Sequence, residues 1–234
     1  FVIPLVFTCL FFLSCSGQSI DRKALVSRHS VEITGADSLN SLTVGNGSFA
    51  FTADITGMQS FPCQYEKGIP LGTQSDWGWN SFPNKGNYTL SDVEKWYKVG
   101  NDSVPYLPQF SGPEGDRKAE ATDWLRANPH RVQLGYIGLK LIGESGEAFT
   151  LDDIESPIQR LDLWTGELSS HFTFDGFPVE VSTFAHPHSD ELAFRIQSPL
   201  IGLKRLYITL SFPYPTRDKF RGGCNFDKPG QHAT

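Results

Sequence analysis

The chain has 234 residues, a formal net charge of −6 and 39% hydrophobic residues, 18 of its residues being Phe. That is enough apolar material for one large domain or two small ones, and an acidic balance without a basic stripe excludes nucleic acid as a partner class. With 22 Gly, 15 Pro and 13% aromatics, the composition favours a turn-rich β protein over a helical one.

Residues 1–13, FVIPLVFTCLFFL, form an uncharged apolar run. It is shorter than the ~20 residues of a membrane span and suits the core of a secretory signal. Ser14-Cys15-Ser16-Gly17 follows at once, and a Cys after an apolar run resembles a bacterial lipoprotein cleavage box. The expectation is a signal peptide over residues 1–17, with Cys15 as the lipidated residue. Simple cleavage near Ser16 or Gly17 and an uncleaved anchor are the other readings. In each case the protein is expected to be exported, to the periplasm or outer membrane, and in the lipoprotein reading it meets a membrane only through its lipid anchor. Beyond this segment only Cys63 and Cys224 remain. Pairing between them and two unpaired interior thiols are both open.

Residues 18–28 read as a polar tether. From His29 the pattern becomes strand-like, and residues 29–220 are expected to form one β-sandwich domain. His29, Val31 and Ile33 alternate with polar residues. Leu42 and Val44 lead into Gly45-Asn46-Gly47, a turn signal. Phe49, Phe51, Ala53 and Ile55 then alternate with Ser48, Ala50, Thr52 and Asp54, predicting a half-buried strand.

Pro70 to Asn84, PLGTQSDWGWNSFPN, is dense in Trp, Gly, Pro and Asn, which predicts an ordered loop and rules out a helix interior. Leu90 to Tyr97 predicts a short helix, with Ser91 and Glu94 as a capping box. Residues 100–114 read as a long excursion. Asp116 to Ala127, stopped by Asn128-Pro129, predicts a second helix. Strand follows strand from Val132: 132–141, 159–164, 167–174, 177–186, 191–197 and 203–212, with one helical turn at 151–154. Asp175-Gly176 between HFTF and FPVEV predicts a two-residue type I′ hairpin. The fold class is therefore all-β, a large antiparallel sandwich with one or two short helices in insertions. Residues 221–234 begin a new segment, expected to lead into a linker and a further region.

Four stretches together carry a resemblance: VGNGSFAF, PLGTQSDWGWNSFPN, NPHRVQLGYIGL and LDLWTGEL. Leu42 to Ala50 resembles the strand–turn–strand opening the N-terminal domain of certain glycoside hydrolases, among them the maltose and kojibiose phosphorylase family and the inverting 1,2-α-L-fucosidase family. The set as a whole is similar to secreted glycosidase-like proteins of Bacteroidetes, over nearly the whole chain after residue 20. The resemblance implies a β-super-sandwich, a helical linker and a catalytic (α/α)6 barrel of six helical hairpins. No barrel fits in this chain, so no catalytic residue is carried over. The implied activity of the parent protein is hydrolysis of glycosidic bonds by inversion, without a cofactor. The implied partners are an oligosaccharide and the protein's own C-terminal catalytic domain. A stand-alone surface glycan-binding lipoprotein is the alternative.

An inverting pair needs carboxylates roughly 6.5–9.5 Å apart. Asp152, Asp153 and Glu155 form the one tight acidic cluster and read as a solvated turn. His186-Pro187-His188 with Asp190 lacks supporting ligands for a metal and reads as a polar turn; no metal site is expected. His130 and His171 read as structural, and Trp164 as packing. Trp77, Trp79, Asn80, Phe82 and Asn84 are the candidate substrate-binding residues. Aromatic faces stack on sugar C–H groups, and amides bind hydroxyls. Packing of this loop against a neighbouring domain is the competing reading, and both stay open.

Overall fold

The computed structural model describes residues 19–213 and Gly230. In chain order the elements are α1 (Arg22–Ser27), β1 (Val31–Ile33), β2 (Leu42–Gly45), β3 (Phe49–Ala53), α2 (Pro62–Tyr65), β4 (Gly72–Ser75), β5 (Trp79–Asn80), β6 (Lys95–Val99), β7 (Asp102–Tyr106), α3 (Arg117–Ala127), β8 (His130–Arg131), β9 (Tyr136–Leu141), β10 (Glu155–Asp162), β11 (Glu167–Phe174), β12 (Phe177–Ala185), β13 (Leu192–Gln197) and β14 (Leu206–Ser211). Single 3-10 turns occur at Leu90–Asp92, Leu151–Asp153 and Pro199–Ile201.

All strand pairing between these elements is antiparallel. A five-stranded sheet in the order β1-β10-β11-β12-β13 faces a three-stranded sheet, β2-β3-β4, and the pair β14-β9. The layers meet through the alternating residues the sequence marks. Val44, Phe49, Phe51 and Ala53 pack on Leu168 of β11, and Phe51 meets Phe194 edge-on with ring centroids 5.5 Å apart. Leu139 and Leu141 of β9 pack on Phe172, Phe174, Val179 and Val181. Phe51 is fully buried, and truncating such a side chain to Ala costs about 3–5 kcal/mol. The chain is thus all-β and sandwich-like, as the strand spacing predicts. The Asp175-Gly176 hairpin is also as predicted: Phe174 pairs with Phe177, and both turn residues have positive φ, 51° and 75°.

The turn after β3 is locked by a buried carboxylate. Asp54 accepts from Thr56 N (2.9 Å), Thr56 Oγ1 (2.5 Å), Ser60 N (2.6 Å) and Phe61 N (2.8 Å). Burial pushes its carboxyl up to about 6, against the pull of those donors. Gln159 of β10 ties this turn to the large sheet, donating to Asp54 O (2.7 Å) and Ser170 Oγ (2.8 Å).

Within the stretch expected as a tether, Asp21 caps α1 by accepting from Ala24 N, and none of the helix is buried. Three expectations need correction. The stretch from Pro70 to Asn84 is not one loop, because Gly72–Ser75 pairs with β3 and Trp79–Asn80 with β8. The helix expected over 90–97 is a single 3-10 turn followed by β6. Its capping box is Thr89 with Asp92, not Ser91 with Glu94. The excursion over 100–114 contains β7, which returns along β6 as an exposed hairpin.

One apolar face is left open. Ile208 and Leu210 pair directly with Leu139 and Ile137 of β9, so they share the core-facing side. Ile208 is nevertheless 49% exposed, and Leu210 65%.

Candidate functional site

Three turns meet at one end of the sandwich. The β2–β3 turn contributes Asn46. Its side-chain oxygen accepts from Ser48 N (3.0 Å) and Phe49 N (2.9 Å), closing the turn. Its amide nitrogen donates to His186 O and Ser189 O, both at 3.1 Å, holding the β12–β13 turn. That second turn carries Asp190. Its Oδ2 accepts from Ser75 Oγ at the end of β4 and from Trp77 Nε1, the latter at 2.9 Å. Within the turn Ser189 Oγ and His186 Nδ1 are 2.5 Å apart.

The third turn, Ser75 to Gly78, presents the tryptophans. Arg131 of β8 holds it from behind, donating to Ser75 O (3.3 Å) and Asp76 O (2.9 Å) and pairing with the Asp76 carboxylate at 3.3 Å. Asp76 N donates to Ser48 O (2.9 Å), and Val132 N to Gly78 O (2.8 Å). Gly78 packs close to Leu134, whose Cδ2 would lie 2.9 Å from a Cβ built there. On this braced backbone Trp77 is 69% exposed and Trp79 52% exposed. Large exposed rings, one of them (Trp77) bonded at its edge nitrogen, are what a docking surface provides. In the sequence Asp190 reads as part of a polar turn, and no local signal marks it as a partner of Trp77.

The remaining candidates divide. Asn80 is exposed beside Trp79 and pairs with His130 across β5–β8. Phe82 is half-buried, with its ring 5.7 Å from that of His130 and its N–H donating to Asn128 Oδ1 (2.6 Å). Asn84 has both ends of its amide on the Tyr88 backbone, at 2.9 and 2.8 Å. The structure thus brings Trp77, Trp79 and Asn80 to the surface and uses Phe82 and Asn84 as internal supports.

Asp153 lies in the turn expected for it and accepts from Thr150 N and Oγ1, which hold its carboxyl below the usual range. Among the described residues no group of three or more His, Cys, Asp or Glu is arranged to hold a metal ion, and no helix is long and apolar enough to cross a membrane. Trp164 is not core packing. It is 47% exposed in the turn after β10, where Asp162 Oδ1 accepts its N–H at 2.8 Å. Cys63 is exposed rather than interior and bonds to no described cysteine; Cys15 and Cys224 lie outside the described residues.

A second exposed surface is the β6–β7 hairpin, all ten of whose strand residues are exposed. Tyr97 and Tyr106 meet edge-on at 5.6 Å and, with Leu107 and Pro108, line a shallow cavity of about 420 Å³. Compared with known proteins, the chain matches no family model and no curated sequence.

Proposed function

We propose that this chain is a non-catalytic β-sandwich domain of an exported glycosidase-like protein and that it presents Trp77 and Trp79 to a glycan. The observation carrying the reading is the exposure of both indoles, Trp77 on a turn braced by Asp190 and Arg131 and Trp79 at the start of β5 beside it. A ring whose edge nitrogen is already bonded loses little freedom when a sugar stacks on its face. The open core-side face of β14 supports the larger-protein part of the proposal, since such a face suits a neighbouring domain. The hydrolytic step is assigned by resemblance to that neighbouring region, and the chain itself is expected to cleave nothing.

The test is calorimetric titration of the chain with a panel of oligosaccharides. Binding that is lost in Trp77→Ala and in Trp79→Ala, with the fold retained by circular dichroism, supports the proposal. No binding across the panel by a folded chain overturns the glycan contact.

A further inference from the structure

The charges around the exposed indoles bear on which glycans they take, an inference that rests on reading Trp77 and Trp79 as the glycan surface. Asp190 sits at the Nε1 edge of the Trp77 ring, 2.9 Å from that nitrogen, and both its described hydrogen bonds use Oδ2. Its Oδ1 therefore keeps free acceptor capacity among the described residues. A sugar stacked on an indole projects its hydroxyls past the ring edge, where this oxygen stands.

The Asp190 carboxylate gives this edge a negative charge. Asp76, which precedes Trp77, and Glu191, which follows Asp190, are also exposed, the Asp76 carboxylate being paired with Arg131. The cation built into this end is Arg131, and it is committed: Nη1 donates to Ser75 O and Asp76 O, and Nη2 pairs with the Asp76 carboxylate. A uronate or sulfate group brought to this edge would meet the Asp190 carboxylate, and the Arg131 guanidinium is already committed among the described residues, whereas a hydroxyl meets an acceptor. We infer that the surface takes uncharged glycans, with Asp190 Oδ1 accepting a sugar hydroxyl, and rejects glycans bearing carboxylate or sulfate.

The experiment compares neutral hexasaccharides of α- and β-linked glucose, galactose and mannose with hexamers of galacturonate and mannuronate. Binding to the whole chain is measured at about 20 and 500 mM salt, and Trp77→Ala, Asp190→Asn and Asp76→Asn are run alongside. The inference expects a neutral hexamer to bind at least tenfold more tightly than any uronate hexamer at low salt. The gap should narrow at high salt as the carboxylates are screened, and should narrow in Asp190→Asn, which also weakens the neutral ligand. A uronate hexamer that binds more tightly than every neutral one, and is lost in Trp77→Ala, overturns the inference while leaving the glycan surface standing. An unchanged neutral affinity in Asp190→Asn overturns the hydroxyl contact. Failure of both classes to bind the folded chain removes the glycan surface and the inference with it.

Discussion

Asp190 Oδ2 accepts the indole hydrogen of Trp77 at 2.9 Å across 113 residues of chain. The same oxygen accepts from Ser75 Oγ, so one carboxylate joins the β12–β13 turn to the end of β4 and to the exposed ring. Asp190→Ala should lower stability by about 1–2 kcal/mol, the lower part of the ~1.5–3 kcal/mol of hydrogen bonds to a charged group, reduced because the site is partly exposed. It should also raise the acrylamide quenching of Trp77, with Trp77→Phe identifying that residue's share of the signal. Quenching unchanged from wild type would show that Asp190 does not hold the ring.

Asn46 offers a cleaner separation of roles. Asn46→Asp keeps an oxygen for Ser48 N and Phe49 N but loses the donors to His186 O and Ser189 O. The expected loss is about 2 kcal/mol in urea unfolding, with faster hydrogen exchange across residues 186–191. Asn46→Ala should cost more, because the turn closure goes as well. Equal losses in the two variants would mean that the turn closure contributes nothing, and an undiminished stability in Asn46→Asp would mean that the link to the β12–β13 turn contributes nothing.

Asp54→Asn turns an amide NH₂ toward a box built of donors. The substitution should cost about 2 kcal/mol at pH 7. The wild-type carboxyl is raised to about 6. Between its unfolded value near 4 and about 6, the folded state binds the proton more tightly than the unfolded state, so this contribution to stability falls as pH rises through that window. The gap between wild type and Asp54→Asn should therefore widen as pH is lowered from about 6 to about 4. A gap that is flat over this range refutes the assignment.

Asp92 titrates in the opposite sense. Its hydrogen bonds to Arg117, chiefly, and to Thr89 hold its carboxyl down at about 2. A depressed carboxylate contributes stability above its unfolded value near 4 and loses it as pH falls toward 2. Arg117→Gln should lower the melting temperature at pH 7 and speed exchange in the first turn of α3. The difference from wild type should shrink as the pH falls from about 4 to 2. A difference independent of pH there would point to the Arg117 contacts with Gly86 O and Asn87 O instead.

Gly138 marks where β9 approaches the turn after β3. A Cβ at this position would lie 2.5 Å from Gln59 O, and backbone has little room to give. Gly138→Ala should cost about 1–3 kcal/mol by overpacking, read as a lower denaturation midpoint at unchanged slope.

The sandwich was legible where burial obeys a period. Phe49 to Ala53 alternates in sequence and in burial alike, and Asp175-Gly176 could hardly be anything but a tight turn. Legibility failed where local chemistry had two outlets. Ser91 and Glu94 have capping-box spacing, but Thr89 and Asp92 are the pair that close on each other. Lys95–Val99 is exposed throughout, so no alternation betrays it as a strand. At the candidate site the tryptophans were evident from composition alone. Their support was not, since Asp190, Asn46 and Arg131 reach them only through the fold, and Asn84 announces nothing of its bonds to Tyr88.

The double use of Asn46 has a practical consequence. Asn46-Gly47-Ser48 has the Asn-x-Ser form that eukaryotic secretory pathways glycosylate on the amide nitrogen. That nitrogen is the donor holding His186 O and Ser189 O. A host that modifies the nascent chain there would place a bulky saccharide in the joint between two turns and take away one of its hydrogens. Material secreted from yeast or mammalian cells should therefore carry a loosened β12–β13 turn, and a bacterial host, or Ser48→Ala to remove the sequon, would keep the joint intact.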